Sequence, residues 1–186
     1  MSLIPAFDIG VWNAWILMLL IFLYILLSVQ IFKDVGKKIA HGEEEKKFSI
    51  FVALFFFILL IYSIFLPLKL GTIWFYTGLA VYLLGLIVLT IALANIAATP
   101  LGEPFAKGVY RYSRNPLSLG MLFTFLGVGV ASASWLYLLL SAIIMVITRF
   151  MVVIEERSCL NQFGNAYREY MNRSPRWIGI PKSVKN

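Results

Sequence analysis

The chain of 186 residues has little charge and very few of the residues that bind metals or form disulfides. Charged residues make up 13% of it and hydrophobic residues 61%, whereas soluble domains are about 25% charged. With one cysteine, Cys159, it forms no internal disulfide, and with one histidine, His41, it lacks a Cys/His cluster. We therefore expect a chain solvated by lipid and no metal site.

Five apolar runs alternate with turn-prone or charged segments. They cover residues 9–32, 48–68, 73–98, 117–131 and 135–154. A membrane-spanning helix needs roughly 20 apolar residues, so four runs are long enough and the fourth is short. The pattern predicts an all-α integral membrane protein with about five transmembrane helices and a short cytoplasmic C-terminal helix. We expect one membrane domain, 1–186, with three spans in 1–98, and interpret the charged run 43–47 as a solvated loop.

The last two runs are predicted to form a helical hairpin. Only residues 132–134 separate them, and so short a linker makes successive helices antiparallel. Pro116 suits the first turn of the fourth helix, where no backbone N–H is needed. Gly120, Gly127 and Gly129 are expected to let the two hairpin helices approach closely in lipid.

The distribution of basic residues predicts the orientation in the membrane. With five crossings, 14 of the 16 Lys and Arg residues face one side, in loops 33–47 and 99–116 and in the tail after residue 154. Lys69 faces the other side, and Arg149 lies within the last span. The positive-inside rule then places the N-terminus outside and the C-terminus in the cytoplasm. The net charge of +7 is assigned to the membrane surface, with no nucleic-acid partner.

Arg149 is the residue that lipid solvation explains least. A charge inside a span costs several kcal/mol and usually has a partner. Glu156 follows it by two helical turns and is the expected partner, directly or through substrate. The alternative is that Arg149 extends to the cytoplasmic interface and pairs with headgroups. Because Glu155 and Glu156 are adjacent on a helix, we expect only one of them to face a pocket.

Ordered motifs fill the cytoplasmic end of the hairpin. They are Gly-x-Tyr-x-x-x-Arg-Asn-Pro-x-x-x-Gly at 108–120, Glu-Glu at 155–156, Phe-Gly-x-x-Tyr-x-x-Tyr at 163–170 and Pro-Arg at 175–176. Together they resemble the isoprenylcysteine carboxyl methyltransferase and phospholipid methyltransferase superfamily, over about residues 103–181. Where that superfamily usually has Arg-His-Pro, this chain has Asn115, which hydrogen-bonds but does not take a proton. We expect no base at this position.

The resemblance implies transfer of a methyl group from S-adenosylmethionine, with S-adenosylhomocysteine as product, by residues 99–186. From the charge within the span and the spacing to Glu156, we expect Arg149 and Glu156 to take part in catalysis. A cofactor carboxylate prefers an arginine, and its ammonium prefers a carboxylate. The expected cofactor-binding residues are Gly108, Val109, Tyr110, Tyr112, Arg114, Asn115, Pro116, Leu117, Gly120, Glu155 and Glu156.

The acceptor is expected to be a lipid or a lipidated small molecule that enters from the bilayer. The resemblance favours carboxyl O-methylation of an isoprenylcysteine, with phospholipid N-methylation as the alternative. A carboxylate acceptor needs a cation such as Arg149 or Arg173, and an amine needs a base such as Glu156. A membrane reductase of the sterol reductase type is a competing hypothesis, although those enzymes are longer. A non-enzymatic lipid-binding protein is a third.

Overall fold

The computed structural model describes residues 7–31, 43–100 and 102–182. Over these residues the chain is helical, apart from one isolated β-bridge between Asn13 and Pro67. The helices are α1 (Trp15–Ile31), α2 (Glu43–Ser63), α3 (Ile73–Ala98), α4 (Pro116–Ala131), α5 (Trp135–Phe163) and α6 (Asn165–Arg173), with a 3₁₀ turn at Gly108–Arg111. The predicted all-α class is confirmed, and so is the short helix near the C-terminus.

The first two helices differ from the apolar runs in where they begin. Helix α1 begins only at Trp15, because the N–H of Ala14 instead donates to the carbonyl of Leu66, at 2.8 Å. Residues 43–47 belong to α2, so interpreting them as a loop was wrong. The rest of the predicted basic loop, residues 33–42, lies outside the described residues.

Glycines bring α3 and α4 into backbone contact. A Cβ atom on Gly78 would lie 2.6 Å from the carbonyl oxygen of Gly127, and one on Gly85 would lie 2.8 Å from that of Gly120. The expectation that Gly120 and Gly127 contact the following helix is therefore wrong. Gly120 and Gly127 are seven residues apart and lie on the face of α4 that meets Gly78 and Gly85. These two glycines of α3 have the same spacing. Of the three glycines of α4, only Gly129 faces α5, where an added Cβ atom would lie 2.6 Å from a side-chain carbon of that helix.

Helix α5 extends beyond the apolar run in which it begins. It packs against α4 across the three-residue linker and continues for 29 residues, to Phe163. At 1.5 Å per residue it is about 44 Å long, whereas the hydrocarbon core is about 30 Å thick. Gly164 ends it with a φ of 54°, a conformation that favours glycine. The last two turns therefore bring Glu155 and Glu156 to one end of the bundle.

Two helices, α3 and α5, are long and apolar enough to cross a membrane. Helices α1 and α4 and residues 50–63 of α2 are shorter apolar segments. Only 28% of the apolar window of α3 and 22% of that of α5 are buried within the protein. Most of their apolar side chains thus face outward, which is the surface that lipid stabilises.

We expect Gly127→Ala to destabilise the protein, because its methyl group would clash with the backbone of α3. Overpacking of this kind costs about 1–3 kcal/mol. Ala80→Val adds a larger group on an exposed face of α3 and should leave stability unchanged. Thermal unfolding in detergent measures both, and equal melting temperatures for the two variants would contradict the close helix contact.

Candidate active site

A cavity of about 150 Å³ lies where the ends of α3 and α5 meet the start of α4 and helix α6. Its lining comes from five stretches of chain. The lining residues are Ile96, Phe105, Tyr110, Arg114, Asn115, Pro116, Leu117, Ser118, Glu155, Glu156, Ser158, Cys159, Gln162, Phe163, Tyr167 and Tyr170. Aromatic side chains thus surround a small number of charged groups, as is usual for a small-molecule site.

Glu156 is the buried carboxylate of this cavity, with 4% of its surface exposed. Its Oε1 lies 3.2 Å from Nη1 of Arg114. Arg176 donates to the same carboxylate twice, from Nε at 3.2 Å and from Nη2 at 2.6 Å. These hydrogen bonds raise the pKa of Arg176, so it remains cationic. A buried ion without a partner costs several kcal/mol, so the shared carboxylate stabilises both arginines.

Arg114 retains hydrogen-bonding capacity despite this ion pair. Its side chain is only 9% exposed, yet its buried Nε and Nη1 donate no hydrogen bond to any described residue. A buried donor without an acceptor costs about 1–3 kcal/mol. The cavity therefore contains a guanidinium whose N–H groups would be stabilised by an anionic ligand.

The first turn of α4 adds backbone donors beside Arg114. Asn115 is the N-cap residue, but its side chain makes no capping hydrogen bond. Instead its Nδ2 donates to the carbonyl of Arg176, at 3.1 Å. Leu117 and Ser118, which follow in the first turn, both line the cavity. Uncapped N–H groups and the helix dipole favour an anion at this position.

The segment after α6 crosses the loop that precedes α4. The N–H of Arg114 donates to Pro175 at 2.9 Å, and the N–H of Gly179 donates to Tyr112 at 3.1 Å. With the contacts of Asn115 and Glu156, these bonds hold the loop and the C-terminal segment together. The closing Pro-Arg motif thus has a structural role that its sequence position alone did not indicate.

Three buried tyrosines of the cavity are held as neutral phenols. Burial raises the pKa of Tyr110, Tyr167 and Tyr170, mainly by desolvating the phenolate. The hydroxyl of Tyr170 donates to the carbonyl of Tyr110 at 2.8 Å, which fixes α6 to the 3₁₀ turn. These side chains therefore offer aromatic surface and hydroxyl donors rather than bases.

Seven of the eleven residues expected to bind cofactor line the cavity. They are Tyr110, Arg114, Asn115, Pro116, Leu117, Glu155 and Glu156. Both glutamates line it, although only one was expected to, because the cavity extends around the end of α5.

The other four expected residues lie elsewhere. A Cβ atom on Gly108 would meet the side chain of Asn95, which also accepts the N–H of Val109 at 3.0 Å, so these two residues fix the loop to α3. Tyr112 is 56% exposed, and Gly120 faces α3.

Arg149 does not reach the cavity or Glu156. It is exposed on α5 and lines a separate groove, which Arg157 and Arg176 also line. Direct pairing with Glu156 was expected from two helical turns, but two turns separate the residues by about 10 Å along the helix axis, and Glu156 pairs with Arg114 and Arg176 instead. Glu156 faces the protein and Arg149 faces outward.

Sequence reasoning missed part of the lining. Ile96, Phe105, Ser118, Ser158, Cys159 and Gln162 line the cavity and were not proposed. On α5, Ser158, Cys159 and Gln162 follow Glu155 by three, four and seven residues. That helical spacing is the signal that would have found them. Ile96 and Phe105 carry no comparable signal.

The family model described as phospholipid methyltransferase matches residues 68–166. This is more than half of the chain, and the chain belongs to this family of membrane methyltransferases. The match includes α3, which had resembled the superfamily only in hydropathy. No curated protein and no solved structure matches the chain.

We expect Glu156→Gln to lower stability far more than Glu155→Gln. The first change leaves Arg114 and Arg176 without their carboxylate, and breaking a buried pair costs about 3–5 kcal/mol. At this chain length the loss corresponds to a melting temperature lower by about 6–20 °C. Thermal unfolding of both variants in detergent without ligand measures it, and equal shifts would show that the ion pairs contribute little.

Proposed function

We propose that the protein is an S-adenosylmethionine-dependent methyltransferase that acts on a lipophilic acceptor at the cytoplasmic membrane face. The observation that carries this proposal is Arg114, a buried cation whose Nε and Nη1 donate no hydrogen bond to a described residue, beside the uncapped start of α4. Membership of the family supports the methyl-transfer chemistry. The residues present fit an amino-acid-bearing cofactor, because anion-binding groups and a carboxylate line one aromatic cavity.

We assign each part of the cofactor to one part of the cavity. Arg114 and the first N–H groups of α4 would hold its carboxylate, and Glu155 would hold its ammonium. The apolar side chain of Leu117 and the ring of Tyr110 would face its adenine and its sulfonium. The cofactor supplies an electrophilic methyl group, so the protein mainly has to align the acceptor and exclude water.

Glu156 is proposed to act by positioning. Its carboxylate accepts two hydrogen bonds from Arg176 and lies beside Arg114, so it holds both arginines at the cavity wall. A phospholipid amine acceptor would need a base, and Glu155 and Glu156 are the carboxylates that line the cavity. A prenylcysteine carboxylate needs no base but requires a cation. An acceptor screen separates the two classes, because alkali releases a methyl ester but not an N-methyl group.

We further propose five membrane crossings, with the N-terminus outside and the C-terminus in the cytoplasm. This places 14 of the 16 basic residues on the cytoplasmic side. The cavity lies at the same end of the bundle as the loop 99–115 and the C-terminal segment. An acceptor dissolved in the bilayer would then reach the cavity laterally, between helices.

We expect Arg114→Ala to weaken the binding of S-adenosylhomocysteine by about tenfold to over a hundredfold. A charge-assisted hydrogen bond contributes roughly 1.5–3 kcal/mol. Arg114→Lys should restore little of this affinity, since an ammonium lacks the planar pair of donors. Calorimetric titration in detergent measures the affinities.

Arg111→Ala is the matched control for this titration. It removes an exposed arginine from the same loop, three residues earlier, and should bind the cofactor product normally. Melting temperatures identify any variant that is unfolded. Folded Arg114 variants with the affinity of the unchanged protein would exclude Arg114 from the cofactor site.

The proposed topology predicts which introduced cysteines react from outside the cell. In a Cys159→Ser background, a membrane-impermeant maleimide should label Lys69→Cys in intact cells. It should label Lys38→Cys only after the membrane is permeabilised, because that loop is proposed to be cytoplasmic. Labelling of Lys38→Cys in intact cells would contradict the orientation.

A further inference from the structure

Two large apolar side chains lie exposed on the segment that follows α6. Ile178 is 69% exposed and Ile180 is 89% exposed, and Trp177 before them is partly exposed. Isoleucine side chains in this position are unfavourable in water, because their apolar surface stays hydrated. The segment therefore has an apolar surface that the described part of the protein does not cover.

The backbone around these isoleucines is fixed to the rest of the protein. The N–H of Gly179, which lies between them, donates to the carbonyl of Tyr112 at 3.1 Å. Two residues after the second isoleucine, the N–H of Lys182 donates to the carbonyl of Arg173 at 2.9 Å. Because the backbone is held at both points, the isoleucine side chains remain at the surface. Their exposure is thus a property of the folded segment.

The segment lies at the height where the apolar surface of α5 ends. Arg176 donates to Glu156 at 2.6 Å, and Glu156 follows the end of the apolar run at residue 154 by two residues, or about 3 Å along the helix axis. Arg176 also lines the separate groove on α5, together with Ile154 and with Phe150, which is 60% exposed. Trp177 and the two isoleucines follow directly, so they lie near the level at which the lipid-facing surface of α5 gives way to its polar end.

The composition of the segment suits the boundary between water and lipid. A tryptophan such as Trp177 combines an apolar ring with an N–H donor and is enriched at membrane interfaces. Cationic side chains lie on either side of the apolar residues, since Arg173 is 52% exposed and Lys182 is exposed. These cations complement the negative surface potential of a cytoplasmic leaflet. The partner that these features fit is therefore a lipid surface.

We propose that residues 177–180 form an interfacial anchor, in which the side chains of Trp177, Ile178 and Ile180 insert into the cytoplasmic leaflet beside α5. The anchor rests on the membrane orientation proposed above and requires neither cofactor nor acceptor. It contacts the leaflet as a surface and selects no individual lipid molecule. Because Arg176 adjoins the anchor, contact with the leaflet would stabilise the segment that supplies this arginine to Glu156.

Spin labels at single introduced cysteines measure the insertion. The full-length protein, in a Cys159→Ser background, is reconstituted into bilayer discs of equal parts dioleoylphosphatidylcholine and dioleoylphosphatidylglycerol. Power saturation then compares the access of apolar oxygen to each label with that of a water-soluble nickel chelate. The chelate should reach a label at Ile180→Cys at least about threefold less than one at Arg168→Cys, because the apolar face of an interfacial segment lies about 5–10 Å into the boundary between headgroups and acyl chains.

Two further positions provide matched controls. Arg168 is an exposed residue of α6 and represents the aqueous side, whereas Val146, 58% exposed within the apolar run of α5, represents the membrane interior. Ile178→Cys is the second test position if Ile180→Cys does not fold. Equal access of the chelate at positions 180 and 168, with position 146 shielded, would overturn the anchor alone. Access at position 146 as well would overturn the membrane placement and the anchor together.

Titration of the same labelled protein with S-adenosylhomocysteine separates the anchor from the proposed enzyme function. A protein that binds no cofactor product, although its label at position 180 is shielded, refutes the enzyme function and supports the anchor. A protein that binds the cofactor product, although that label is as accessible to the chelate as the label at position 168, refutes the anchor and leaves the enzyme function standing.

Discussion

The ion pairs of Glu156 with Arg114 and Arg176 connect three parts of the chain that are distant in sequence. One is the end of α5, one is the loop before α4, and one is the segment after α6. Because Glu156 is 4% exposed, its charge is tolerated only while both partners are present. This requirement determines the arrangement of the cavity, because Arg114 holds the loop before α4, and Arg176 holds the segment after α6, against the end of α5.

The hydrogen-bond donors available to a ligand are those that the ion pairs of Glu156 do not use. One carboxylate is shared by two guanidinium groups, and Nε and Nη1 of Arg114 donate no hydrogen bond to a described residue. Asn115 donates to the carbonyl of Arg176, so it does not cap α4. The histidine usual at this position in the superfamily is replaced by a residue whose amide suits that backbone contact. The donors that we propose to bind an anion are thus those that remain when the C-terminal segment is held in this way.

Arg176 also lies between two surfaces of different polarity. On one side it is bonded to the carboxylate of a cavity rich in aromatic side chains, and on the other it borders a groove that is open to lipid. In the proposed reaction, a soluble cofactor and a membrane-dissolved acceptor would meet at such a boundary. The outward-facing apolar surface of α3 and α5 provides the lipid side, and the polar end of α5 provides the aqueous side.

The sequence by itself determined the helical class, the approximate helices and the end of the bundle that carries the charged motifs. Hydropathy, Pro116 and Gly164 act locally, so their consequences can be read from neighbouring residues. Only the tertiary structure decided that Gly120 and Gly127 face α3, and that Glu156 pairs with Arg114 and Arg176 rather than with Arg149. Those choices depend on the rotation of each helix about its axis and on a chain segment that returns from twenty residues away. Helical spacing defines which side chains share a face, but the packing of other elements defines what that face meets.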